Sequence, residues 1–135
     1  MADLEGAQVT APADWKVEFT DPHWIIDPPA DDGGSAGGAV FDVDDVSLAE
    51  DTEELAVARL KAAGSDGKRL PDVKYGGVTF YHIREQTDVN RFDSYGALVD
   101  GSQVALEWTF IKDLASPEQI DGWIDQLMST FKFEG

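Results

Sequence analysis

The stretch "FDVDDVSLAEDTEE", Phe41 to Glu54, places seven carboxylates in fourteen residues. Hard cations take oxygen ligands, so calcium or manganese chemistry would be sought here. Laid on the EF-hand loop from Asp42, the stretch offers Asp42, Asp44 and Glu53 at ligand positions. It puts Val46 where an oxygen ligand belongs and Ser47 where the sharp turn needs glycine. The EF-hand template therefore fails. A narrower group remains, Asp42, Asp44 and Asp45 at the exit of a strand, with Asp31 and Asp32 as further oxygen donors. It would make at most a weak calcium or manganese site. A helix start explains the later acids better. Asp51 or Thr52 can cap it, with Ser47 and Glu50 as a competing box one turn earlier. Glu53 and Glu54 then meet the positive end of the helix dipole, typically for a few tenths to about 1 kcal/mol each.

Nucleophilic catalysis needs a nucleophile with a base in reach. The chain has no cysteine and two histidines, His23 and His82. Neither histidine sits in a Gly-x-Ser-x-Gly or His-Glu-x-x-His signature. Two isolated histidines without cysteine also make poor zinc ligands. A hydrolase would have to gather His82 with Tyr95, Glu107 or another carboxylate. The glycine-rich "PPADDGGSAGG" lacks the Lys-Ser/Thr of a phosphate loop, since Ala39-Val40 follow it. It offers no residue to anchor in a core and is expected to be an exposed loop. The expectation is a non-enzyme without a resident cofactor and without catalytic residues.

Charge narrows the partners. There are 27 acidic and 10 basic residues, a net charge of −17. Nucleic acids and anionic membrane surfaces are bound by Lys and Arg, so this chain is expected to avoid both. It suits a protein partner with a basic surface, or simply high solubility. Trp24 beside Pro28 and Pro29 is the candidate contact surface, because aromatic residues dominate such contacts. No run approaches the ~20 apolar residues of a membrane span. The opening "MADLEGAQVTAPADW" has neither the basic region nor the apolar core of a signal peptide. A cytoplasmic location is expected, with the cell envelope or secretion as the alternative if a signal preceded this start.

The elements that would position these groups follow from periodicity. Residues 1–12 are polar and alanine-rich and are expected to be loose, leaving 13–135 as one domain. "DWKVEFT" alternates Trp15, Val17 and Phe19 against Lys16 and Glu18, a half-buried strand. "HWIID" is a short apolar run stopped by Pro28-Pro29, and "AVFDV" is a further strand. "TEELAVARLKAAG" is a helix with Leu55, Ala56, Leu60 and Ala63 on one arc and Gly64 at its end. "SDGKRLPD" reads as a loop. "GVTFYHIREQT", "RFDSYGALV" and "QVALEWTFI" are strands, the last two joined by the hairpin signal Asp100-Gly101. Ser116-Pro117-Glu118-Gln119 is a capping box with proline at the favoured first position. Ile120, Trp123, Ile124, Leu127, Met128 and Phe131 follow as one helical stripe, and Phe133 closes a short extended piece. Strands grouped as antiparallel neighbours, with one helix between groups and one at the end, make the fold α+β.

This order of elements resembles the Mog1/PsbP-like superfamily. The resemblance rests on the early Trp15 strand, the "DTEELAVARLKAA" helix, the strand opening "YGGVTFYHIRE" with Gly77, Val78, Phe80 and Tyr81, and the close "LMSTFKF". It covers roughly residues 14–134, its motifs are structural, and Thr130 stands where the superfamily usually has Ser. It implies an α/β/α sandwich, an antiparallel sheet of about six strands flanked by helices. The resemblance implies a binding or assembly protein, as in nuclear-transport accessory factors, photosystem subunits, secretion chaperones and envelope lipoproteins. Actinobacterial lipoprotein-type members are the most similar in flavour, although this chain has no lipidated cysteine. The expected function is a non-enzymatic protein-binding or assembly module, with a divalent-cation-responsive domain at Asp42–Asp45 as the alternative.

Overall fold

The computed structural model describes residues 2–4, 6–29, 35–44 and 49–134. The chain opens with β1 (Ala2–Leu4) and β2 (Ala7–Val9), then β3 (Lys16–Thr20), β4 (His23–Asp27) and β5 (Gly37–Asp44). Helix α1 (Thr52–Ala63) follows, with β6 (Gly67–Tyr75), β7 (Val78–Gln86), β8 (Asn90–Val99) and β9 (Ser102–Ile111). Helix α2 (Pro117–Met128) and β10 (Lys132–Phe133) end the chain. One sheet has seven antiparallel strands in the order β3-β4-β5-β9-β8-β7-β6, and a second has three, β1-β2-β10. The fold is α+β with one helix on each face of the main sheet.

Alternation along the strands sorts the faces. On the inner face Ile26, Phe41, Phe80, Leu106, Trp108 and Phe110 are buried against Ile120, Ile124, Leu127 and Met128 of α2. Phe80 meets Phe131 edge-on at 5.0 Å, and Trp123 stacks on Phe110 at 5.8 Å. The apolar stripe read from α2 is thus its docking face. On the outer face α1 lies over β6, β7 and β8 and buries Leu55 and Ala56 against Tyr81 and Ile83. Asp51 caps α1, its carboxylate accepting from Glu54 N at 2.8 Å, and Gly64 ends it at φ 74°. Thr52 Oγ1 accepts from Leu98 N of β8 at 3.0 Å and Arg69 of β6 clasps Glu53, which fixes the helix on the sheet. Ser116 caps α2 by accepting from Gln119 N, with Pro117 at its first turn. Asp100 and Gly101 make the β8–β9 turn with positive φ at both residues, as a two-residue hairpin of this type requires.

Several segments depart from expectation. The described residues before 13 are not loose: β2 lies between β1 and β10, and Ala2, Ala7 and Val9 are buried. Small side chains suffice there because the three-stranded sheet closes over the main core. The segment "SDGKRLPD" is not a loop throughout, since β6 begins at Gly67. Pro71 is accommodated because β6 is an edge strand whose register shifts between Leu70 and Val73. Strand β3 is not half-buried; all five residues are exposed on the opposite edge, Phe19 at 48%. The glycine-rich stretch does anchor at its end, where Ala36 is buried and Gly37-Gly38 already belong to β5.

Candidate functional site

The inner face contains a charged cluster among its apolar neighbours. Alternation in β7 and β8 points Arg84, His82, Arg91, Asp93 and Tyr95 to that face. Asp93 is fully buried and accepts three charge-capable donors. His82 Nε2 is 2.7 Å and Arg84 Nε 2.9 Å from its Oδ1, and Arg91 Nε is 2.7 Å from its Oδ2. Burial alone would raise this carboxyl. The hydrogen bonds from His82 and Arg91 and the charges of Arg91 and Arg84 outweigh it and bring the pKa down to about 2. The His82 ring stacks on Tyr95 at 4.2 Å, and burial pushes the Tyr95 phenol well up. Arg91 continues outward, its Nη2 2.5 Å from Asp121 Oδ1 on α2, with Arg84 Nη2 3.7 Å from the same oxygen. Arg84, Gln86, Arg91, Lys112, Ala115 and Asp121 surround a hollow of about 230 Å3, with Pro117 and Ile120 as its remaining walls.

The outer face divides in two. Under α1, Ser94 Oγ donates to Glu107 Oε2, and Arg59 Nε bonds Glu107 Oε1 at 3.2 Å. Burial, with Glu107 nearby, pushes the Tyr81 phenol up to about 12 against the lowering effect of Arg59. Beyond α1 no described helix covers β4, β5 and the near side of β9. Ile25, Val40 and Ile111 line a hollow of about 390 Å3 there, with Asp27 and Glu107 among its walls. Val40 and Ile111 are exposed. Burial raises the Asp27 carboxyl, with Lys16 lowering it and Glu18 raising it further.

The residues singled out from sequence fall in separate places. Asp42 and Asp44 are exposed side by side on the outer face of β5, two residues apart. Asp45 lies outside the described residues, as do Asp31, Asp32 and the Ser47 cap. Among the described residues no three His, Asp or Glu side chains gather as a metal site. Trp24 is half-buried against the inner core, its Nε1 donating to Asp3 O at 3.2 Å and its ring 5.1 Å from Phe19. Pro28 is buried and Pro29 half-buried, so the exposed aromatic at that edge is Phe19 rather than a Trp-Pro patch. His82 does meet Tyr95 and a carboxylate, but that carboxylate is Asp93. Glu107 lies on the other side of the sheet, with Ser94. Sequence reasoning missed the Arg84–Arg91–Asp93–Asp121 cluster.

No protein-family model matches the chain, and no curated protein matches it significantly. Solved structures do. The solution structure of cyanobacterial PsbP (CyanoP) from Synechocystis sp. PCC 6803 aligns over 99% of this chain and 91% of that one, with a TM-score of 0.63 and 11% identity. The chain has a PsbP-like fold. A structure from Bacteroides thetaiotaomicron VPI-5482 also gives a TM-score of 0.63 at 12% identity, over 96% of this chain and 46% of that chain. This chain therefore spans about half of that protein. The PsbP-like fold and the α+β class read from sequence both stand. No described helix is long and apolar enough to cross a membrane.

Proposed function

We propose that this protein is a non-enzymatic binding module whose partner is a protein with a basic surface. The observation that carries this is the half of the outer sheet face that no described helix covers. Its centre is apolar, from Ile25, Val40 and Ile111, and Asp27 and Glu107 stand at its walls. Apolar centres with polar rims are the anatomy of transient protein interfaces. With a net charge of −17, the complement is an apolar ridge framed by Lys or Arg. Two features favour binding over catalysis. His82 is wedged between Asp93 and the Tyr95 ring, and the nearest serine on β8, Ser94, lies on the other face with Glu107. The PsbP-like fold is compatible with this reading.

The test is affinity capture with the wild type and with the Val40→Asp/Ile111→Asp double variant, at low and at roughly molar salt. The captured protein is then identified, purified and titrated against both forms. Binding lost in the variant and weakened by salt supports the proposal. A partner that binds both forms equally, or is held equally at molar salt, overturns it.

A further inference from the structure

We propose that the hollow between the β7 end, the β8 start and α2 binds a small organic acid, with its carboxylate on Arg84 and Lys112 and its short apolar part on Ala115 and Ile120. The first argument is composition. The chain has ten Lys and Arg against 27 acids, yet three of those ten line this one hollow and a single acid, Asp121, joins them. A surface drawn from this sequence would be expected to show the reverse ratio.

The second argument is the charge balance within the cluster. Arg84, Arg91 and Lys112 face two carboxylates, Asp93 and Asp121, which leaves one positive charge uncompensated. Asp93 is fully buried and already accepts from His82, Arg84 and Arg91, none of its bonds coming from Lys112. Lys112 makes no ion pair among the described residues. Its Nζ donates to Thr87 O at 3.0 Å, which steadies it at the rim with donors to spare. Arg84 is held by its Nε to Asp93, while its Nη2 is 3.7 Å from Asp121, too far for a hydrogen bond.

The third argument is that Asp121 shows how the site takes a carboxylate. Its Oδ1 sits 2.5 Å from Arg91 Nη2 while its side chain is 60% exposed, so it bridges solvent and a guanidinium that is 5% exposed. A second carboxylate would use the Arg84 fork and the Lys112 ammonium, which line the same hollow. Charge-assisted bonds of this kind are the stronger class. The volume of about 230 Å3 lies below the ~300 Å3 at which drug-sized ligand pockets begin, so the ligand is small. Ala115 and Ile120 are nearly fully buried and give the hollow an apolar wall that an inorganic ion would not use.

Sodium butyrate is the probe, titrated against sodium chloride and sodium phosphate at equal ionic strength and followed by backbone and Arg side-chain NMR. Butyrate is expected to shift Arg84, Lys112 and Ala115 in a saturable way. Lys112→Gln should weaken it at least ~10-fold, the ~1.4 kcal/mol of one charge-assisted bond. Asp121→Asn, at an exposed position, should tighten it several-fold by freeing Arg91. Identical shifts with chloride, unchanged affinity in Lys112→Gln, or phosphate binding more tightly than butyrate would each overturn the proposal.

Discussion

Asp93 and Arg91 lie two residues apart on β8, their Oδ2 and Nε 2.7 Å apart, with the carboxylate fully buried and the arginine side chain 5% exposed. Strand alternation puts both on the inner face, in the same row as Tyr95 and Ala97. The core therefore contains a charge pair where a β-sheet of this kind would ordinarily place two apolar side chains. Its neighbours His82, Arg84 and Asp121 come from β7 and α2. The pair thus ties the register of two strands to the position of a helix.

Acid should unfold the protein through this carboxylate. The folded pKa is about 2, below the ordinary 3.8. A depressed folded value means that the stabilisation is fully present above pH ~4 and disappears as pH falls through the folded value. The shift corresponds to about 2 kcal/mol. Urea midpoints measured from neutral pH down to pH ~2 should fall most steeply below pH ~4. Asp93→Asn should flatten that part of the profile, and an unchanged profile would detach acid sensitivity from Asp93.

Removing one partner should cost more than removing both. Asp93→Asn leaves the buried Arg91 with only the largely exposed Asp121 to balance it, a change expected to cost about 3–5 kcal/mol. Adding Arg91→Leu removes the stranded charge, so the double variant should recover a good part of that loss. The coupling is read from a double-mutant cycle of urea unfolding free energies. If the two losses simply add, the pair is not acting as a unit.

The limits of reading this fold from sequence follow the same division between local and distant contacts. Helix α2 was legible because its cap at Ser116, Pro117 and its stripe from Ile120 to Phe131 are contiguous signals. So was the β8–β9 hairpin, where Asp100-Gly101 demands a particular backbone. The three-stranded sheet was not, because "ADL" and "AQV" are three residues each, too short for their alternation to read as a strand, and owe their burial to packing against the core. Strand β6 was hidden by Pro71, which an edge strand tolerates and an interior strand does not. The charged cluster joins residues from 82 to 121. One signal was available: the β8 alternation that places Ala97 in the core places Arg91 and Asp93 there as well. A charge on a core register implies a buried partner.

Two glycines should respond in opposite directions. A Cβ on Gly38 would collide with Asp27 Oδ1 and Ile26 O, so β4 and β5 approach too closely for any side chain. Gly38→Ala should destabilise by roughly 1–3 kcal/mol through strand displacement. Gly122 sits within α2, and a Cβ there would meet nothing within 4 Å. Gly122→Ala should therefore stabilise by about 0.5–1 kcal/mol, the usual gain in a helix interior. Thermal midpoints moving in the same direction for both variants would refute the assigned strand contact or the helical setting.

Trp108 poses the last test. It is almost fully buried, stacked on Phe110 at 5.7 Å, and its indole Nε1 has no hydrogen-bond partner among the described residues. An unpaired buried donor typically costs about 1–3 kcal/mol. Trp108→Phe removes that donor but also leaves a small void, which costs stability through lost contacts. The two effects oppose, so the net change is expected within about 1 kcal/mol of zero. Trp108→Ala should instead lose about 3–5 kcal/mol, since it removes the ring altogether. Equilibrium unfolding of both variants checks the difference. A loss near 3 kcal/mol for Trp108→Phe would mean that the indole N–H finds a partner in solution, because removing a satisfied donor adds to the void instead of offsetting it.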